Sequence, residues 1–338
     1  MPFSTHDGVF AVTTARDERL VLPYLYRQVI NYGYVAAGYA NGVAWRNVNQ
    51  ITHSNDTFTN LGDLLQAAAN YTSGASGRNN AFVWGTNGTG TQGVGAFTTT
   101  SNFNMRNNTT YTATTSMNTA QTVGDSSTIQ KQDLWGTYQL SYQNGNQGAA
   151  VWQKFNLVTE VAASTGSSNF QQGGTGAGAH FSENWGYFWA DAADTATTDR
   201  VKFTFATEQE SVPATSPGNH GQQKGTNAKT GYGYGGNEGT YNGGNNFRKW
   251  SYATEVSVGT YGKPITNAGE ENYDMGQTHN YLGGMYNGAQ NNLSWRWNYA
   301  TDSGTTSGIG SPSGTATGTG STAGAIPGRS SGTGHWRD

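Results

Sequence analysis

The sequence predicts an all-β fold, a six-bladed β-propeller built from repeats of about 47 residues, and three observations support it. The chain combines 49 Gly residues with 10 Trp, 19 Tyr and 13 Phe. Short strands joined by tight turns need both kinds of residue, whereas disordered chains are poor in aromatic residues. The second observation is a repeat along the chain, and the third is an alternation of apolar and polar residues inside each copy.

The repeat is clearest in three segments of the second half, 199–208, 246–255 and 293–302, which align without gaps and end in Ala-Thr followed by an acidic residue. Segment 152–160 is a fourth copy and segment 45–52 a fainter fifth. The gap between the fifth copy and the fourth suits two units, so we expect a sixth copy there, and 105–112 is the candidate. The Thr residues that mark the copies are Thr52, Thr112, Thr159, Thr207, Thr254 and Thr301.

Each copy reads as two consecutive strands. In the four copies marked by Thr159, Thr207, Thr254 and Thr301, large apolar residues stand four and two positions before the Thr with a polar residue between them, as in a half-buried strand. The candidate copy at 105–112 has Asn108 and Thr110 at those positions. A strand of aromatic and Gly residues precedes it, at 34–39, 81–85, 138–142, 187–190, 232–236 and 281–285. The remainder of each unit leaves room for one or two further strands, which is the size of a propeller blade.

The sequence divides into three parts. Residues 1–31 form an N-terminal segment that supplies either a strand closing the ring or a short docking helix, and we favour closure. Residues 32–302 form the six-repeat propeller, with an insertion in the second unit around 86–102. Residues 303–338 form a Gly/Ser/Thr-rich tail with a candidate closing strand near its end.

Charge and composition exclude several classes of protein. The formal net charge of −3 and the pI of about 6.1 give no basic surface for nucleic acid, so we expect no nucleic-acid partner. The absence of Cys excludes disulfides and thiolate-bound zinc. The N-terminus lacks the pattern of a secretory signal, and no apolar run has the length of a membrane span, so we expect no membrane insertion.

Catalytic and metal-binding motifs are not evident. No two His residues have the spacing of a zinc site, and no Gly-x-Ser-x-Gly motif occurs. The Gly-rich segment at 231–236 is not followed by a helical pattern, so it does not match a dinucleotide-binding turn. We therefore expect no enzyme, no catalytic residue, no cofactor and no metal. The six His residues are His6, His53, His180, His220, His279 and His335.

One set of residues permits a sharper hypothesis. Glu160, Glu208, Glu255 and Asp302 each follow a marker Thr, and His53 takes that position in the first unit. In a ring these carboxylates would recur at one rim or around the channel and could bind cations or glycans. Alternatively, each acid ends its strand and hydrogen-bonds its own turn. Symmetric repetition favours the second interpretation, because a glycosidase needs two acids in contrasting environments.

The unit pattern resembles the divergent kelch-like repeats of marine bacteriophage structural proteins. In that pattern an aromatic–Gly–Gly strand is followed by a turn, an Arg-containing strand and a Thr-acid ending. Segments 186–189, 199–203 and 207–208 match it, as do segments 281–284, 295–296 and 301–302. The resemblance covers residues 32–302. Units one to three lack the Gly–Gly doublet, and His53 replaces the acid in the first unit.

The resemblance implies a non-enzymatic structural protein of a virus particle, located in the virion as a tail, neck, fibre or decoration component. Such a propeller is a rigid protein–protein interaction module that contacts other virion proteins, and host attachment is a further expected role. The alternative is a glycan-binding, lectin-like propeller, in which exposed Trp and Tyr stack on host-surface sugars while Asn and Gln bind the hydroxyls. An enzyme would need a polar cluster that is not repeated among the units.

Overall fold

The structure is a computed structural model, and all regular secondary structure among its described residues is β. The all-β prediction is therefore confirmed. The described residues are 32–36, 39–40, 43–44, 46–66, 70–76, 80–86, 100–104, 107–112, 127–130, 137–141, 151–156, 159–167, 178–181, 184–192, 195–213, 215, 226–227, 231–235, 246–264, 269–275, 278–286, 294–310 and 324–326.

The strands are short, and most contain four to eight residues. In chain order they are β1 Tyr32–Ala36, β2 Tyr39–Ala40, β3 Val43–Ala44, β4 Asn47–Thr52, β5 Thr57–Asp63, β6 Asn70–Ser76, β7 Asn80–Thr86, β8 Thr100–Asn104, β9 Thr109–Thr112, β10 Ser127–Gln130, β11 Thr137–Ser141, β12 Val151–Phe155, β13 Ala162–Ser167, β14 Gly178–Phe181, β15 Trp185–Ala192, β16 Thr195–Thr204, β17 Gln209–Ser211, β18 Thr226–Asn227, β19 Tyr232–Gly235, β20 Asn246–Ser251, β21 Val256–Gly262, β22 Gly269–Met275, β23 His279–Tyr286, β24 Ser294–Asn298, β25 Ser303–Thr305 and β26 Gly324–Ile326.

These strands form six four-stranded antiparallel sheets within the described residues, in addition to the small β2–β3 hairpin. We number the sheets 1 to 6 along the chain. Sheets 2 to 6 are β6–β9, β10–β13, β14–β17, β18–β21 and β22–β25, and in each the spatial order follows the chain order. The expected aromatic–Gly strands are all present, each as the second strand of its sheet. Each unit therefore begins one strand earlier than its aromatic–Gly strand.

Sheet 1 joins two distant parts of the chain. Its order is β26-β1-β4-β5, so residues near the C-terminus supply its first strand. The register of β26 with β1 pairs Tyr34 with Ile326 and Ala36 with Gly324. Five neighbouring pairs of first strands lie beside one another: β26 is next to β6 and β22, β10 is next to β6 and β14, and β14 is next to β18. Residues 1–31, the other candidate for a closing strand, lie outside the described residues, as do residues 87–99 of the expected insertion.

A left-handed turn residue marks the true register of the repeat. In each sheet the loop between the third and fourth strands ends in a non-Gly residue with φ between 49° and 57°, and among the described residues no other non-Gly residue has a positive φ. These residues are Asp56, Asn108, Glu160, Glu208, Glu255 and Asp302. Except for Gly, few residue types adopt this region readily, so its recurrence defines equivalent positions better than residue identity does.

This register corrects two expectations in the first half of the chain. Thr52 and Thr112 were expected to match Thr159, but the equivalent residues are Asn55 and Asn107. The first two units therefore end in Asn-Asp and Asn-Asn instead of Thr-Glu, so an alignment on Thr shifts them. The acid of the first unit is Asp56, not His53. The marker Thr residues of the later units also lie in the turn, because β12, β16, β20 and β24 end before them.

In the corrected register one position of the third strand carries a large apolar residue that is at most 1% exposed in every sheet. It is occupied by Ile51, Phe103, Phe155, Phe203, Trp250 and Trp297. The second apolar position, two residues later, lies in the turn but is still buried at Phe205, Tyr252 and Tyr299. The apolar pattern thus predicts burial correctly while overstating the length of the strand.

The buried third-strand residue packs against the second strand of the preceding sheet. Phe103 of sheet 2 lies edge-on to Tyr34 of sheet 1, and Phe155 of sheet 3 lies edge-on to Phe82 of sheet 2, both with ring centroids 5.2 Å apart. Trp250 of sheet 5 lies 4.7 Å from Tyr187 of sheet 4. The same contact joins the last sheet to the first, since Ile51 of sheet 1 packs with Tyr281 of sheet 6.

The chain leaving a fourth strand also contacts the next sheet. After β17, Thr215 Oγ1 donates a hydrogen bond to the carbonyl oxygen of Glu255 in sheet 5, at 2.5 Å. After β25, Gly310 N donates to the carbonyl oxygen of Asp56 in sheet 1, at 2.9 Å. In both places the acceptor is the carbonyl of the left-handed residue. The segment that leaves one sheet, through a side chain at Thr215 and through the backbone at Gly310, thus holds the turn of another in place.

We expect replacement of a residue at the buried third-strand position to be severe. Trp250→Ala removes a fully buried indole that contacts Tyr187 and Tyr252, and we expect a loss of about 3–5 kcal/mol in the free energy of unfolding. Urea unfolding followed by Trp fluorescence would measure it. Val258→Ala is the control: this residue is 50% exposed in the same sheet, and its loss should stay below about 1 kcal/mol. Equal losses in the two variants would contradict the proposed core.

Candidate functional site: the junctions between sheets

The loop that carries each acid is built by a polar residue at the end of the third strand. In sheets 3, 4 and 5, the N–H of Glu160, Glu208 and Glu255 donates to the carbonyl four residues earlier, at 2.8–2.9 Å. The side chain of the strand's last residue accepts hydrogen bonds inside the loop, as when Asn298 Oδ1 accepts from Ala300 N at 2.8 Å and from Thr301 N at 3.1 Å. Such side-chain bonds to the backbone favour the turn over further strand.

Four of the five turn acids point away from their own sheet toward a cation of the preceding one. Lys154 Nζ of sheet 3 lies 2.5 Å from Glu208 Oε1 of sheet 4. Lys202 of sheet 4 pairs with Glu255 of sheet 5. The last two pairs join Lys249 of sheet 5 to Asp302 of sheet 6, at 2.8 Å, and Arg296 of sheet 6 to Asp56 of sheet 1. The four cations occupy equivalent positions on β12, β16, β20 and β24, just before the buried third-strand residue.

Aromatic residues complete these ion pairs. The cation lies opposite a Tyr of the second strand, as in Tyr187 opposite Lys202 and Tyr281 opposite Arg296. The Tyr281 hydroxyl donates a hydrogen bond to Asp56 Oδ1 at 2.8 Å, and the Tyr187 hydroxyl oxygen lies 3.4 Å from Glu255 Oε1. Lys202 Nζ also sits 4.5 Å from the centre of the Trp185 ring. The carboxylate therefore accepts hydrogen bonds from a cation and from a Tyr hydroxyl, and these bonds offset the cost of burying part of its charge.

Burial and the adjacent carboxylate perturb these Tyr residues. At Tyr187 the pKa is raised above the ordinary value of 10.0, first by burial and then by the charge of Glu255 and the hydrogen bond to it. At Tyr261, whose hydroxyl lies 3.1 Å from Asp302 Oδ2, burial and Asp302 likewise raise the pKa. A hydroxyl that donates to a carboxylate is stabilised in its protonated form. Neither Tyr is thereby prepared to act as a base near neutral pH.

The junction between sheets 1 and 2 replaces the ion pair by amides. The position equivalent to Lys202 is Gln50, whose Nε2 donates to Tyr34 Oη at 3.0 Å. The position equivalent to Glu255 is Asn108, which keeps the left-handed backbone. The geometry of the turn thus does not require a carboxylate, since Asn adopts this conformation more readily than Glu. At four other junctions the equivalent residue is an acid that faces a cation: Glu208, Glu255, Asp302 and Asp56.

The junction between sheets 6 and 1 differs in another way, because it contains two His residues. His53 lies in the β4–β5 loop, and its ring stacks on Tyr281 with centroids 5.3 Å apart and planes inclined by 9°. His279 begins β23, and its ring centroid lies 6.3 Å from that of Tyr281. This is a polar cluster that the repeat does not reproduce elsewhere among the described residues. It lies between two sheets, and both imidazoles are half-buried.

Glu160, Glu208, Glu255 and Asp302 lie in four separate turns. They do not come together in one cluster. The acids lie in turns, but each third strand ends before its acid, and the carboxylates of Glu208, Glu255 and Asp302 bind cations of the preceding sheet. The cationic partners of Glu208, Glu255 and Asp302 were not predicted, although Lys or Arg at a fixed position of each later copy was the available signal. His6, His220 and His335 lie outside the described residues. Among those described, no three His, Asp or Glu residues form a group that could hold a metal, and no helix is long and apolar enough to cross a bilayer.

No protein-family model matches the chain, and a search of curated proteins finds no significantly similar sequence.

We expect the ion pair between sheets 4 and 5 to show strong energetic coupling. Lys202 and Glu255 are each 19% exposed, so Lys202→Gln or Glu255→Asn alone leaves a charged partner in a partly buried site and should lower stability by about 1–3 kcal/mol. The double variant reproduces the Gln50–Asn108 arrangement of the chain itself, so its loss should be smaller than the sum of the two. Urea unfolding of the four proteins would give the coupling energy.

The pair Lys154–Glu208 provides the matched control for that cycle. Its side chains are 40% and 34% exposed, so solvent screens the pair and its coupling should be weaker. Additive losses at Lys202 and Glu255 would contradict an essential role of the ion pair. Salt should reduce the coupling of the exposed pair more than that of the partly buried pair.

We further expect stability to fall in alkali through Tyr187. Because its pKa is raised in the folded state, the unfolded chain loses this proton first, and stability is present in full below pH 10 and declines above it. Tyr187→Phe should therefore reduce the slope of unfolding free energy against pH between about pH 10 and 11. The difference between wild type and variant removes the titration of Lys residues common to both. Identical slopes would contradict the shift.

Proposed function

We propose that the six sheets are the blades of a closed six-bladed β-propeller. The contacts described above support this: each sheet contacts the next through equivalent residues, and sheet 6 contacts sheet 1 as sheet 4 contacts sheet 5. The stacking of His53 on Tyr281 has the same form as that of Tyr252 on Tyr187, whose rings are 5.5 Å apart and inclined by 15°. First strands that lie side by side suit a central channel.

In this proposal β26 is the strand that closes the ring. It gives the first blade its innermost strand, so the first blade is assembled from residues near both ends of the chain. Closure removes the open sides that sheets 1 and 6 would otherwise present to solvent.

We propose further that this propeller is a non-enzymatic structural protein of a virus particle, acting as a rigid module that contacts other virion proteins. The observation that carries the proposal is the use of repeated charges: the four cations of the repeat each bind an acid of the next sheet. These groups strengthen the scaffold and do not form a reactive site. The kelch-like pattern of bacteriophage structural proteins supplies the viral assignment.

Exposed apolar residues favour a protein contact over a sugar contact. Among the described residues, the large hydrophobic side chains with substantial exposure are Tyr32 and the four Val residues Val161, Val212, Val256 and Val258. Sugar recognition by stacking needs exposed aromatic faces, and in this part of the chain Tyr32, 42% exposed, is the one aromatic residue among these exposed side chains. The glycan-binding alternative therefore has less support.

Mass spectrometry of gradient-purified particles, produced by cultures that express this chain, would test the function. We expect the chain to sediment with particles in a fixed ratio to the capsid protein and to remain after a high-salt wash. Electron cryomicroscopy of the same particles should then show six blades around a channel. A chain found only outside particles would contradict the virion role, and binding of the purified chain to a glycan array would then favour the lectin alternative.

A further inference from the structure

Two His residues occupy positions that the repeat fills with other aromatic residues. His53 takes the place of Phe205, Tyr252 and Tyr299 in the corrected register. His279, which lies opposite Asn298, takes the place of Tyr32, Trp185 and Tyr232, which lie opposite the equivalent residues of their sheets. Both substitutions fall at the junction between sheets 6 and 1, so this junction differs from the others in containing groups that titrate near neutral pH.

The hydrogen bonds around His279 select its neutral form. Asn298 Oδ1 accepts the N–H groups of Ala300 and Thr301, which fixes the orientation of the amide. Its Nδ2 therefore faces His279 Nε2, at 3.1 Å. An amide nitrogen only donates, so Nε2 must accept, and it can do so only when it carries no proton. The proton of the neutral ring is then on Nδ1, which lies 2.8 Å from Thr278 Oγ1.

The charges around the ring also oppose protonation on balance. Partial burial and the positive charge of Arg296 on β24 lower the pKa of His279 below its ordinary value of 6.5, and His53 acts in the same direction. Asp56, in the β4–β5 loop, acts in the opposite direction with a smaller effect than Arg296. The ring of Tyr281 contacts both imidazoles, and its hydroxyl donates a hydrogen bond to Asp56 Oδ1. The hydrogen-bond geometry and the surrounding charges thus both favour the neutral form of His279.

We propose that His279 is an acid-sensitive latch between sheets 6 and 1. When Nε2 of His279 is protonated, its N–H group faces the amide N–H group of Asn298, and neither can accept a hydrogen bond from the other. Either the Asn298 side chain then leaves the turn that it stabilises, or the imidazole leaves its place beside Tyr281. The first change frees the β24–β25 loop that carries Asp302, and the second removes one side of the His279–Tyr281–His53 contact. In both cases acid loosens this junction before the others.

The direction of the pH effect follows from proton binding. Because the pKa of His279 is lower in the folded state, the open chain binds the proton more readily, so stability is present in full above about pH 6.5. It declines as the pH falls below that value and levels off once the folded form is protonated too. Each unit of difference in pKa shifts the equilibrium by a factor of ten toward the open form.

Two measurements on the full chain test the latch. Nuclear magnetic resonance of ¹³C-labelled His gives the titration of His279, and hydrogen exchange with mass spectrometry at pH 7.5 and 5.0, corrected for the intrinsic pH dependence of exchange, gives local opening. We expect His279 to titrate below pH 6.5 and β23 with the β24–β25 loop to exchange several-fold faster in acid. β15 and β20, whose junction has Trp185 and Tyr252 in place of the two His, are the internal control and should not change.

Two variants distinguish the latch from a general effect of acid. His279→Tyr installs the residue that Tyr32 and Tyr232 provide in other sheets, and the acid-dependent exchange should disappear. Asn298→Asp keeps an oxygen for the two loop N–H groups but replaces the donor facing Nε2 by an acceptor, so the pKa of His279 should rise and acid should no longer loosen the loop. His53→Tyr separates the contribution of the second imidazole.

Three results would overturn the proposal: titration of wild-type His279 at or above pH 6.5, acid-dependent loosening that persists in His279→Tyr, or unchanged titration in Asn298→Asp. If His279→Tyr does not fold, Asn298→Asp retains the hydrogen bonds of the loop and carries the test alone.

Discussion

Each ion pair between sheets ties a turn of one sheet to a strand of the sheet before it, and the remaining contacts are arranged around that link. The left-handed turn brings the carboxylate out of its own sheet, and the cation meets it from a strand whose next residue is the buried apolar one. The ion pair and the aromatic contact therefore belong to one structural unit. Because interiors are close-packed, a shift of the turn would disturb both contacts together.

A chain with only 12% charged residues uses several of them in this way. Ion pairs at the surface contribute little, whereas partly buried pairs that also accept a Tyr hydroxyl contribute more, and they fix the relative position of the elements they join. The aromatic residues do the remaining packing: Trp250 and Trp297 are fully buried although the chain is hydrophilic on average. Large residues at a few repeated positions replace the broad aliphatic core of most domains.

The second and third strands of each unit could be predicted from the sequence because apolar alternation and aromatic–Gly segments report directly on burial and backbone conformation, whereas the first and fourth strands carry neither pattern. The register of the first two units could not, because Asn55 and Asn107 stand where Thr was the marker. The first two units share with the others a positive φ, at Asp56 and Asn108. Because Asp, Asn and Glu all adopt it here, residue identity does not reveal the position.

The junction partners were also beyond reach from a single sequence. Lys202 and Glu255 lie in different repeats, and nothing in their spacing states that one faces the other across two sheets. In the first half of the chain the pattern of a cation facing an acid is interrupted, since the uncharged residues Gln50 and Asn108 occupy the equivalent positions. The His residues were visible but lacked a partner close in sequence, so a motif search could not connect His53 with His279.

The pairing of Gly324–Ile326 with β1 has a consequence for biosynthesis. On the ribosome, residues 37–323 are all made after β1 and before its neighbour β26 appears. Sheets 2 to 6 contain only strands consecutive in the chain and can form as they emerge, whereas sheet 1 cannot be complete until residue 326 has been released. A message truncated before that point would yield a nascent chain with an exposed strand edge, the feature that chaperones and aggregation both recognise.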